Sequence, residues 1–296
     1  MTNPRKRRLA ILGAGPIGLE AGLYARALGY EPVIYERGQA AGNVRRWGFV
    51  RMFSPWKLNV SPLGLEAVRS SGGNHPPLDD CPTGRELCER YLDPIARSLG
   101  QALETGTEVA AVSRAGLLKG DSPGSRRRAR APFRILLRTA AVEKEAAADI
   151  LLDATGVYSN ACWLGDGGIP ALGETSLCDV IDYHLADIVG ADRAKFAGKT
   201  VLLLGAGFSA ATSLGDLLRL ARECPGTRIV WARRSAGPDP FPLHSPDPLP
   251  ERARLALEGN RAASEPPPWL DVRSGVTVKA VAREDEWQSK GGPLCA

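Results

Sequence analysis

The stretch RLAILGAGPIGLEAGLYARALGYEPVIYERG, residues 8–38, decides the fold, because it joins an apolar run, a glycine-rich turn, a helical segment and a second apolar run. The run LAIL is short and continuous, which is typical of a strand buried on both faces of a sheet. Gly13, Gly15 and Gly18 follow it with the spacing G-x-G-x-x-G. The first glycine of such a turn allows the sharp bend, the second lets a pyrophosphate approach the backbone, and the third lets the helix pack closely on the strand. We therefore predict a strand–turn–helix unit that binds a nucleotide.

An acidic residue at the end of the next strand strengthens this prediction. The strand EPVIY is followed directly by Glu36. A carboxylate at this place accepts hydrogen bonds from both hydroxyls of a ribose and repels a 2′-phosphate. The free N–H groups and the positive dipole end of the preceding helix favour the phosphates. A glycine pattern alone would be weak evidence, but the strand, the helix and the acid around it make the prediction specific.

A second fingerprint, VLLLGAGFSAATSLGDLL, lies at residues 201–218. Gly205, Gly207 and Ala210 occupy the three positions of the turn, and alanine is permitted at the third because only close helix packing is needed there. The strand RIVWA follows and ends at Arg233 and Arg234 instead of an acid. Guanidinium groups at this place pair with a 2′-phosphate, which favours NADPH over NADH. The alternative is that the two arginines form a solvated strand end.

Composition and charge exclude several classes of function. The 296 residues are 44% hydrophobic and 24% charged, as in ordinary globular proteins, and the length suits two modest domains. The net charge is +5, but eight cations lie in two short segments, 5–8 and 126–130, so the remaining residues sum to −3. The folded body is therefore not basic, and no nucleic-acid partner is predicted.

The sequence also gives little support for a membrane-spanning segment, a metal site or a disulfide framework. No apolar stretch reaches the roughly 18 residues that span a bilayer, and no signal-peptide cleavage site follows the N-terminal cations. We therefore expect a cytoplasmic protein without a membrane partner. The six cysteines contain no C-x-x-C pair, and no metal-ligand cluster is evident, so no metal site is predicted. The sequence does not indicate an oligomeric state.

The segments between the two fingerprints add weaker signals. A long irregular segment after the first unit contains Gly42, Asn43 and Trp47, which suit the wall of a flat-ring pocket but equally suit plain packing. Residues 83–99 have helical spacing and a capping box. Residues 107–156 contain three short strands, with an arginine-rich hairpin loop between the first two, and the last strand ends in the motif DATG.

This order of motifs resembles the two-dinucleotide-binding-domain flavoproteins, a group of thioredoxin reductase-like, glutathione reductase-like and flavin-containing monooxygenase-like enzymes. The first turn, Glu36, the DATG at 153–156 and the second turn at 205–210 carry the resemblance, which covers roughly residues 8–280. It implies an α/β fold of two Rossmann-like (three-layer β/β/α) dinucleotide-binding domains, the second inserted in the first. The expected domains are an FAD-binding domain, 1–197, and an NAD(P)H-binding domain, 198–296.

The motifs and the resemblance together assign cofactor-binding residues but no catalytic residue. In the first domain, FAD is expected to contact Gly13, Gly15, Pro16, Ile17, Gly18, Glu36, Arg37, Gly42, Asn43, Trp47, Thr155 and Gly156. In the second domain, NADPH is expected to contact Gly205, Gly207, Phe208, Ser209, Ala210, Arg233 and Arg234.

The sequence identifies the electron acceptor less clearly than it identifies the two cofactors. The stretch FAGKTVLLLGAGFSA resembles the start of the second domain in the monooxygenase-like branch, including Ser209, but of that branch's F-x-G-x-x-x-H-x-x-x-[FY] signature only His184 is found. A disulfide reductase would carry a redox-active cysteine pair, whereas residues 37–60 contain no cysteine and Cys81 and Cys88 lie seven apart. We therefore predict an FAD-dependent, NADPH-oxidising oxidoreductase that is monooxygenase-like and passes electrons to oxygen or to an unidentified small molecule.

The end of the sequence leaves an alternative open. In the resembled group the chain returns after the inserted domain to complete the FAD domain, with a Gly-Asp motif that contacts the flavin. Here only EDEWQSKGGPLCA follows the strand-like GVTVKAVAR, and the Gly-Asp pairs begin earlier, at 120, 165 and 215. We expect a chain truncated at its C-terminus, and a redox-dead nucleotide-binding protein is the competing hypothesis. The proline-rich residues 237–250 are expected to be a rigid connector or a lid.

Overall fold

The computed structural model describes residues 6–283, and the chain forms two compact units, Met1–Ser159 and Asn160–Ala296. Each unit contains a parallel sheet with one of the two glycine turns at the end of a strand. The predicted α/β class with two Rossmann-like units is therefore confirmed. Residues 284–296, including Cys295, lie outside the described part, and the expectation of a missing C-terminal return concerns them.

The first unit contains two sheets. In chain order the elements are β1 (Arg8–Leu12), α1 (Pro16–Ala27), β2 (Glu31–Tyr35), α2 (Gly42–Arg46), α3 (Pro62–Ser70), α4 (Gly84–Leu87), α5 (Asp93–Leu99), β3 (Leu103–Glu104), β4 (Glu108–Arg114), α6 (Arg126–Arg130), β5 (Phe133–Arg138), β6 (Glu143–Ala148) and β7 (Ile150–Asp153). The parallel sheet has the strand order β3-β2-β1-β7, and the antiparallel sheet has the order β4-β5-β6.

The core of this unit lies between the parallel sheet and the helices α1, α3 and α5. Leu19 of α1, Ile34 of β2 and Ile95 of α5 are completely buried in one cluster. Burial of such aliphatic side chains stabilises the unit by about 1.5–3 kcal/mol each. The core therefore holds the first turn against the sheet, as the apolar pattern of residues 8–38 predicted.

The capped helix predicted at 83–99 is present in the structure. The Thr83 hydroxyl accepts a hydrogen bond from the N–H of Glu86, and the Glu86 carboxylate accepts one from the N–H of Thr83 at 2.7 Å. The helical segment runs through α4, a π-helical turn at Cys88–Leu92, and α5. The reciprocal cap thus sets the start of the helix, as expected from the sequence.

The arginine-rich stretch differs in detail from the predicted hairpin loop. It connects β4 with β5 as expected, but it contains the short helix α6. The hydroxyl of Ser125 accepts a hydrogen bond from the N–H of Arg128 and caps this turn. The side-chain cap explains the helix, because a serine at this position satisfies a backbone donor that the loop would otherwise leave unpaired.

The elements of the second unit are, in chain order, α7 (Arg193–Phe196), β8 (Thr200–Leu204), α8 (Phe208–Glu223), β9 (Arg228–Arg233), α9 (Pro250–Ser264) and β10 (Leu270–Ser274). In the described part of this unit the strands form a parallel sheet with the order β10-β9-β8, and α9 packs beside α8. None of the helices among residues 6–283 is long and apolar enough to cross a membrane.

The boundary between the two compact units lies before residue 160, whereas the domain boundary expected from the motifs lies after residue 197. The intervening segment belongs to the second unit because it bonds to other residues of that unit. Arg193 forms an ion pair of 2.8 Å with Glu223, and the backbone of Leu172 exchanges hydrogen bonds with backbone groups of residues 279 and 281. Residues 278 and 280 form isolated β-bridges with Gly165 and Leu172, where the strand-like sequence GVTVKAVAR predicted a strand.

A buried carboxylate organises this intervening segment. Glu174 is fully buried and accepts hydrogen bonds from the N–H groups of Leu164 and Ala171 and from the hydroxyl of Tyr183, at 2.9, 2.7 and 2.8 Å. Burial alone would raise the pKa of Glu174, but these hydrogen bonds lower it by more. The charged group holds the loop together, and no sequence pattern predicted it.

The proline-rich connector is anchored at its start. Phe241 is buried, and its backbone N–H and C=O both bond to the side-chain amide of Asn260 in α9, each at 2.9 Å. No helix or strand occurs between β9 and α9. The segment therefore joins β9 to α9 without regular structure and is held on α9 through Asn260.

Candidate nucleotide-binding sites

Two glycines of the first turn are required by packing. Gly13 has a φ of +92°, and a Cβ there would lie 2.8 Å from the carbonyl oxygen of Ala154. A Cβ on Gly18 would lie 1.9 Å from the carbonyl oxygen of Gly13. Any larger residue would force the turn away from α1 and from the DATG segment. These two positions therefore shape the turn.

The remaining glycine of the turn faces open space. A Cβ on Gly15 would have no heavy atom within 4 Å, and Gly15 has an ordinary φ of −72°. It is the N-cap of α1 and, as a glycine, supplies no side-chain cap, and Pro16 occupies the first helical position. Ile17, next along the helix, is 70% exposed. The turn thus presents uncapped backbone donors at an accessible helix N-terminus, which is what a pyrophosphate requires.

The predicted ribose-binding acid is held against this turn. Glu36 Oε2 accepts a hydrogen bond from the N–H of Ala14, and Oε1 accepts one from the N–H of Gly38, both at 2.8 Å. Each carboxylate oxygen keeps further acceptor capacity for a ribose hydroxyl. The geometry therefore fits the role assigned to Glu36 and fixes the orientation of its carboxylate.

The DATG motif lies directly beside the first turn. The N–H of Ala154 donates to the carbonyl of Leu12 at 2.9 Å and extends the pairing of β7 with β1. The hydroxyl and the N–H of Thr155 both donate to Asp153 Oδ1, at 2.7 and 3.0 Å, and they hold the pKa of Asp153 below its usual value. Gly156, exposed and with a positive φ, follows. Thr155 and Gly156 therefore occupy the sheet edge where the first turn opens.

Arg37 and the segment after it border the same edge. The guanidinium of Arg37, which is exposed, donates to the Ser159 hydroxyl at 2.6 Å. The N–H of Ala41 donates to the carbonyl of Ala14 at 2.9 Å, and Ala41 has the unusual φ of +56°. Gly42 and Asn43 begin α2 immediately after this strained residue. Backbone strain of this kind is concentrated at functional sites.

Trp47 is placed mainly by packing. A Cβ on Gly84 would lie 2.6 Å from the Trp47 ring, so the half-buried indole covers the start of α4. By sequence alone, the aromatic residues of this segment suit a pocket wall and plain packing equally. The contact with Gly84 supplies a packing role for Trp47, and its contact with a cofactor stays a prediction.

The second turn repeats the geometry of the first. Gly205 has a φ of +114°, and its N–H donates to the carbonyl of Ala232 at 2.9 Å. A Cβ on Gly207 would have no heavy atom within 4 Å, and Gly207, the N-cap of α8, supplies no side-chain cap. Ala210 is buried, as close helix packing requires. The second helix N-terminus is therefore as open as the first, and Ser209 is exposed beside it.

A buried tryptophan supports the second turn, and sequence reasoning missed it. The indole N–H of Trp231 donates to the carbonyl of Gly205 at 2.8 Å. Its ring stacks on Phe241 at 5.7 Å, and Phe208 lies 6.3 Å from Phe241. A tryptophan within the apolar strand RIVWA gave no signal of this, because its hydrogen bond depends on the strand pairing.

The two arginines predicted to bind a 2′-phosphate differ in environment. Arg233 is 5% exposed, and its Nη1 donates to the carbonyl of Ser235 at 2.9 Å and to that of Gly237 at 2.7 Å. Arg234 is exposed. The sequence treated the pair as equivalent, whereas only Arg234 presents its guanidinium to solvent.

The described cysteines do not form a disulfide. Five of the six are described, and all are thiols. Cys88 is buried, and burial raises the pKa of its thiol to about 11, which disfavours the nucleophilic thiolate form at neutral pH. Among residues 6–283, no group of three or more histidine, cysteine or acidic side chains could hold a metal ion.

Sequence comparison yields little. No profile of a known protein family matches the chain. A kynurenine 3-monooxygenase of Emericella nidulans is 36% identical over 77 residues, which are 25% of this chain and 15% of that protein. The match thus spans only a small part of the relative.

Several solved structures are similar to most of the chain. The bacillithiol disulfide reductase Bdr (YpdA) of Bacillus cereus is similar over 94% of this chain and 70% of its own, with a TM-score of 0.62 and 16% identity. The thioredoxin reductase of Lactococcus lactis is similar over 95% of this chain and 68% of its own, with a TM-score of 0.54 and 16% identity. An oxidised steroid monooxygenase bound to NADP covers 86% of this chain and 43% of its own, with a TM-score of 0.50 and 17% identity. The chain therefore has the two-Rossmann-unit fold of these oxidoreductases, as its motifs predicted.

Proposed function

We propose that the chain is an FAD-dependent oxidoreductase that accepts hydride from NADPH. One observation carries the proposal. Each of two separate parallel sheets has an open glycine turn after one strand, and the next strand is followed by the acid Glu36 in the first unit and by the exposed Arg234 in the second. The first turn suits a nucleotide with a free ribose, and the second suits one with a 2′-phosphate.

The first unit would hold FAD. Uncapped donors at Gly15 and the following residues would bind its pyrophosphate, and the fixed carboxylate of Glu36 would bind its adenosine ribose. Thr155 and Gly156 lie beside the turn and would also contact FAD. The open space at Gly15 supports this fit, because a pyrophosphate must approach the backbone closely there.

The second unit would hold NADPH. The N-terminus of α8 after Gly207 would bind the pyrophosphate, and Ser209 would contribute an exposed hydroxyl. Trp231 would keep the turn in place through its hydrogen bond to Gly205. Arg234, at the end of β9, would contact the 2′-phosphate.

The hard chemistry would belong to the bound cofactors, since a nicotinamide supplies a hydride and a flavin accepts it. The residues of the chain would bind and orient the two nucleotides. Glu36 would position the adenosine of FAD in the first unit. The residues at the end of β9 would position the adenosine of NADPH in the second unit. No side chain of the described part is assigned an acid–base role.

The acceptor we favour is oxygen or an unidentified small molecule, in a monooxygenase-like reaction. The stretch around Ser209 and the fold shared with the NADP-bound steroid monooxygenase support it. Two kinds of reductase share the fold with higher TM-scores, 0.62 and 0.54 against 0.50, so fold alone does not select the acceptor. The high pKa of Cys88 argues against a thiol relay through that residue.

Anaerobic reduction tests the proposal. The purified chain, reconstituted with FAD, should show flavin absorbance that bleaches on addition of NADPH and bleaches more slowly with NADH. Admission of air should restore the absorbance, and a peroxide assay then separates simple oxidase turnover from oxygen transfer. A chain that binds no FAD, or binds FAD and does not bleach, would support the competing redox-dead protein instead.

A further inference from the structure

Two groups of cations that lie far apart in the sequence meet at one end of the first unit. The arginine-rich loop, residues 115–132, joins β4 to β5. Phe133, where this loop ends, pairs with the last residue of β4 and with the last residue of β6. Asp149, which follows β6, accepts a hydrogen bond from the N–H of Arg8 at 2.8 Å, so the start of β1 lies beside the same strand ends. This end of the unit therefore carries both the N-terminal cations and the arginine-rich loop.

Two arginines hold the arginine-rich loop in place. Arg114 Nη1 donates to the carbonyl of Ala131 at 2.7 Å, and its guanidinium lies 3.6 Å from the centre of the Phe133 ring. Arg128 Nη1 donates to the carbonyl of Leu118 at 2.9 Å, which joins the two halves of the loop. These contacts order the loop without using its other cations.

Two leucines are exposed at this end of the unit. Leu118 of the arginine-rich loop is 77% exposed, and Leu28, the C-cap of α1, is 72% exposed. Helix α1 returns the chain from the end of β1 to the start of β2, so Leu28 lies near the strand starts, where Glu31 pairs with Arg8. Apolar side chains beside lysine and arginine are the combination that membrane-surface elements use.

Most of the cations at this end have no partner within the chain. We define the basic end as residues 6–8, 28–31, 114–132 and 149, which carry nine cations and three acids. The acids are too few to neutralise the positive charge locally. Six of the cationic side chains are exposed and form no hydrogen bond and no ion pair with other described residues: Lys6, Arg7, Lys119, Arg126, Arg127 and Arg130.

We propose that the basic end binds the surface of a membrane that contains anionic phospholipids. The free cations would contact the headgroup phosphates, and Leu28 and Leu118 would enter the boundary of the acyl chains. Cations without internal partners give up no bond when they bind a headgroup. A nucleic acid is the other polyanion to consider, but its recognition adds side chains that stack on bases or read their edges, whereas the large exposed apolar groups here are leucines.

This inference is compatible with the earlier expectations and with the nucleotide site. The expectation of no membrane partner rested on the lack of a spanning segment in the sequence, and binding to a surface needs none. The first glycine turn follows Leu12, the last residue of β1, whereas the basic end surrounds Arg8, the first. The five residues of β1 span about 16 Å. A nucleotide could therefore reach the turn while the opposite end of the sheet lies on a membrane.

Flotation of the full chain with lipid vesicles tests the proposal. The chain should float with vesicles of phosphatidylcholine and phosphatidylserine mixed at about 7:3 and not with phosphatidylcholine alone, and about 0.5 M salt should release it. Arg126→Ala/Arg127→Ala and Lys6→Ala/Arg7→Ala should each weaken binding by about 30-fold, since each pair removes two cations. The two pairs combined should abolish flotation.

Matched variants separate this surface from general charge attraction. Lys199→Ala/Arg222→Ala removes the same charge from exposed positions of the second unit and should leave binding unchanged. Leu118→Ala should weaken binding by about three- to tenfold, because less apolar surface leaves water. Leu257→Ala, at a 57% exposed leucine of α9, is its control. Thermal unfolding checks that each variant is folded.

The outcomes decide between the alternatives without any cofactor, so the inference stands or falls apart from the proposed function. A chain that does not float with the anionic vesicles at low salt overturns the proposal. Equal losses in the Lys199/Arg222 pair and in the two basic-end pairs overturn the assignment to this surface. Fluorescence anisotropy with single-stranded RNA and duplex DNA is the remaining arm. Binding there that is tighter than to the vesicles at the same salt, and unaffected by Leu118→Ala, would assign the basic end to a nucleic acid instead.

Discussion

The carboxylate of Glu36 accepts a hydrogen bond from the backbone N–H of Ala14, with 2.8 Å between Oε2 and the nitrogen. The acid that ends β2 is thereby locked to the middle of the glycine turn that follows β1. The hydrogen bond fixes the ribose-binding carboxylate relative to the phosphate-binding turn. A cofactor would find both in place before it binds, which reduces the entropy lost on binding.

Replacement of Glu36 should therefore weaken FAD binding more than it weakens folding. In Glu36→Gln the amide NH₂ would face the N–H of either Ala14 or Gly38, so one acceptor is lost. We expect about a tenfold or greater loss of FAD affinity, measured by fluorescence titration of the apoprotein. Glu31→Gln, at the exposed start of the same strand, is the control. Equal affinities for the Glu36 and Glu31 variants would contradict the role of Glu36.

Alanine substitutions should divide the glycines of the first turn into two kinds. Gly18→Ala would place a methyl group 1.9 Å from the carbonyl oxygen of Gly13, so we expect a loss of several kcal/mol in the free energy of unfolding. Gly15→Ala meets no atom and should fold with nearly unchanged stability, yet its methyl group would stand where the pyrophosphate approaches. Thermal unfolding and retention of FAD report the two effects. A Gly15→Ala chain that binds FAD normally would exclude that approach.

Loss of the indole N–H at Trp231 should destabilise the second unit. Trp231→Phe keeps an aromatic ring against Phe241 but leaves the carbonyl of Gly205 without its donor. The expected cost is about 1–3 kcal/mol, read as a fall in the denaturant midpoint. NADP⁺ affinity should fall as well, because the second turn is less well ordered. Unchanged stability would show that the hydrogen bond contributes nothing.

The buried carboxylate of Glu174 should make stability depend on acid pH. Burial opposes its charge, but hydrogen bonds from Leu164, Ala171 and Tyr183 lower its pKa below the unfolded value of 4.5. A lowered folded-state pKa stabilises the fold above the unfolded pKa, and this contribution is lost as the pH falls through the folded value. Glu174→Gln should be less stable at neutral pH and show a flatter decline below about pH 5. Parallel unfolding curves for both chains, from neutral to acid pH, would contradict this.

The glycine turns were predictable because their requirements are local. Gly13 and Gly205 need positive φ angles, and Gly18 needs room against the turn, and these demands arise within a few residues of each position. The capping box of Thr83 and Glu86 is local in the same sense. By contrast, the unit boundary before residue 160 depends on partners such as Glu223, far along the chain, and no neighbouring residue signals it.

The sequence by itself determined two strand–turn–helix units, their order, and the contrast between an acid and a basic pair at the ends of their second strands. Local sterics and apolar periodicity suffice for that. Only the tertiary structure decided which way those strand ends face: Glu36 towards the turn, Arg233 into its own loop, and Arg234 to solvent. The physical reason is that a side chain at a strand end is oriented by burial and by hydrogen-bond partners that chain pairing brings from elsewhere, as the N–H of Ala14 is brought to the carboxylate of Glu36.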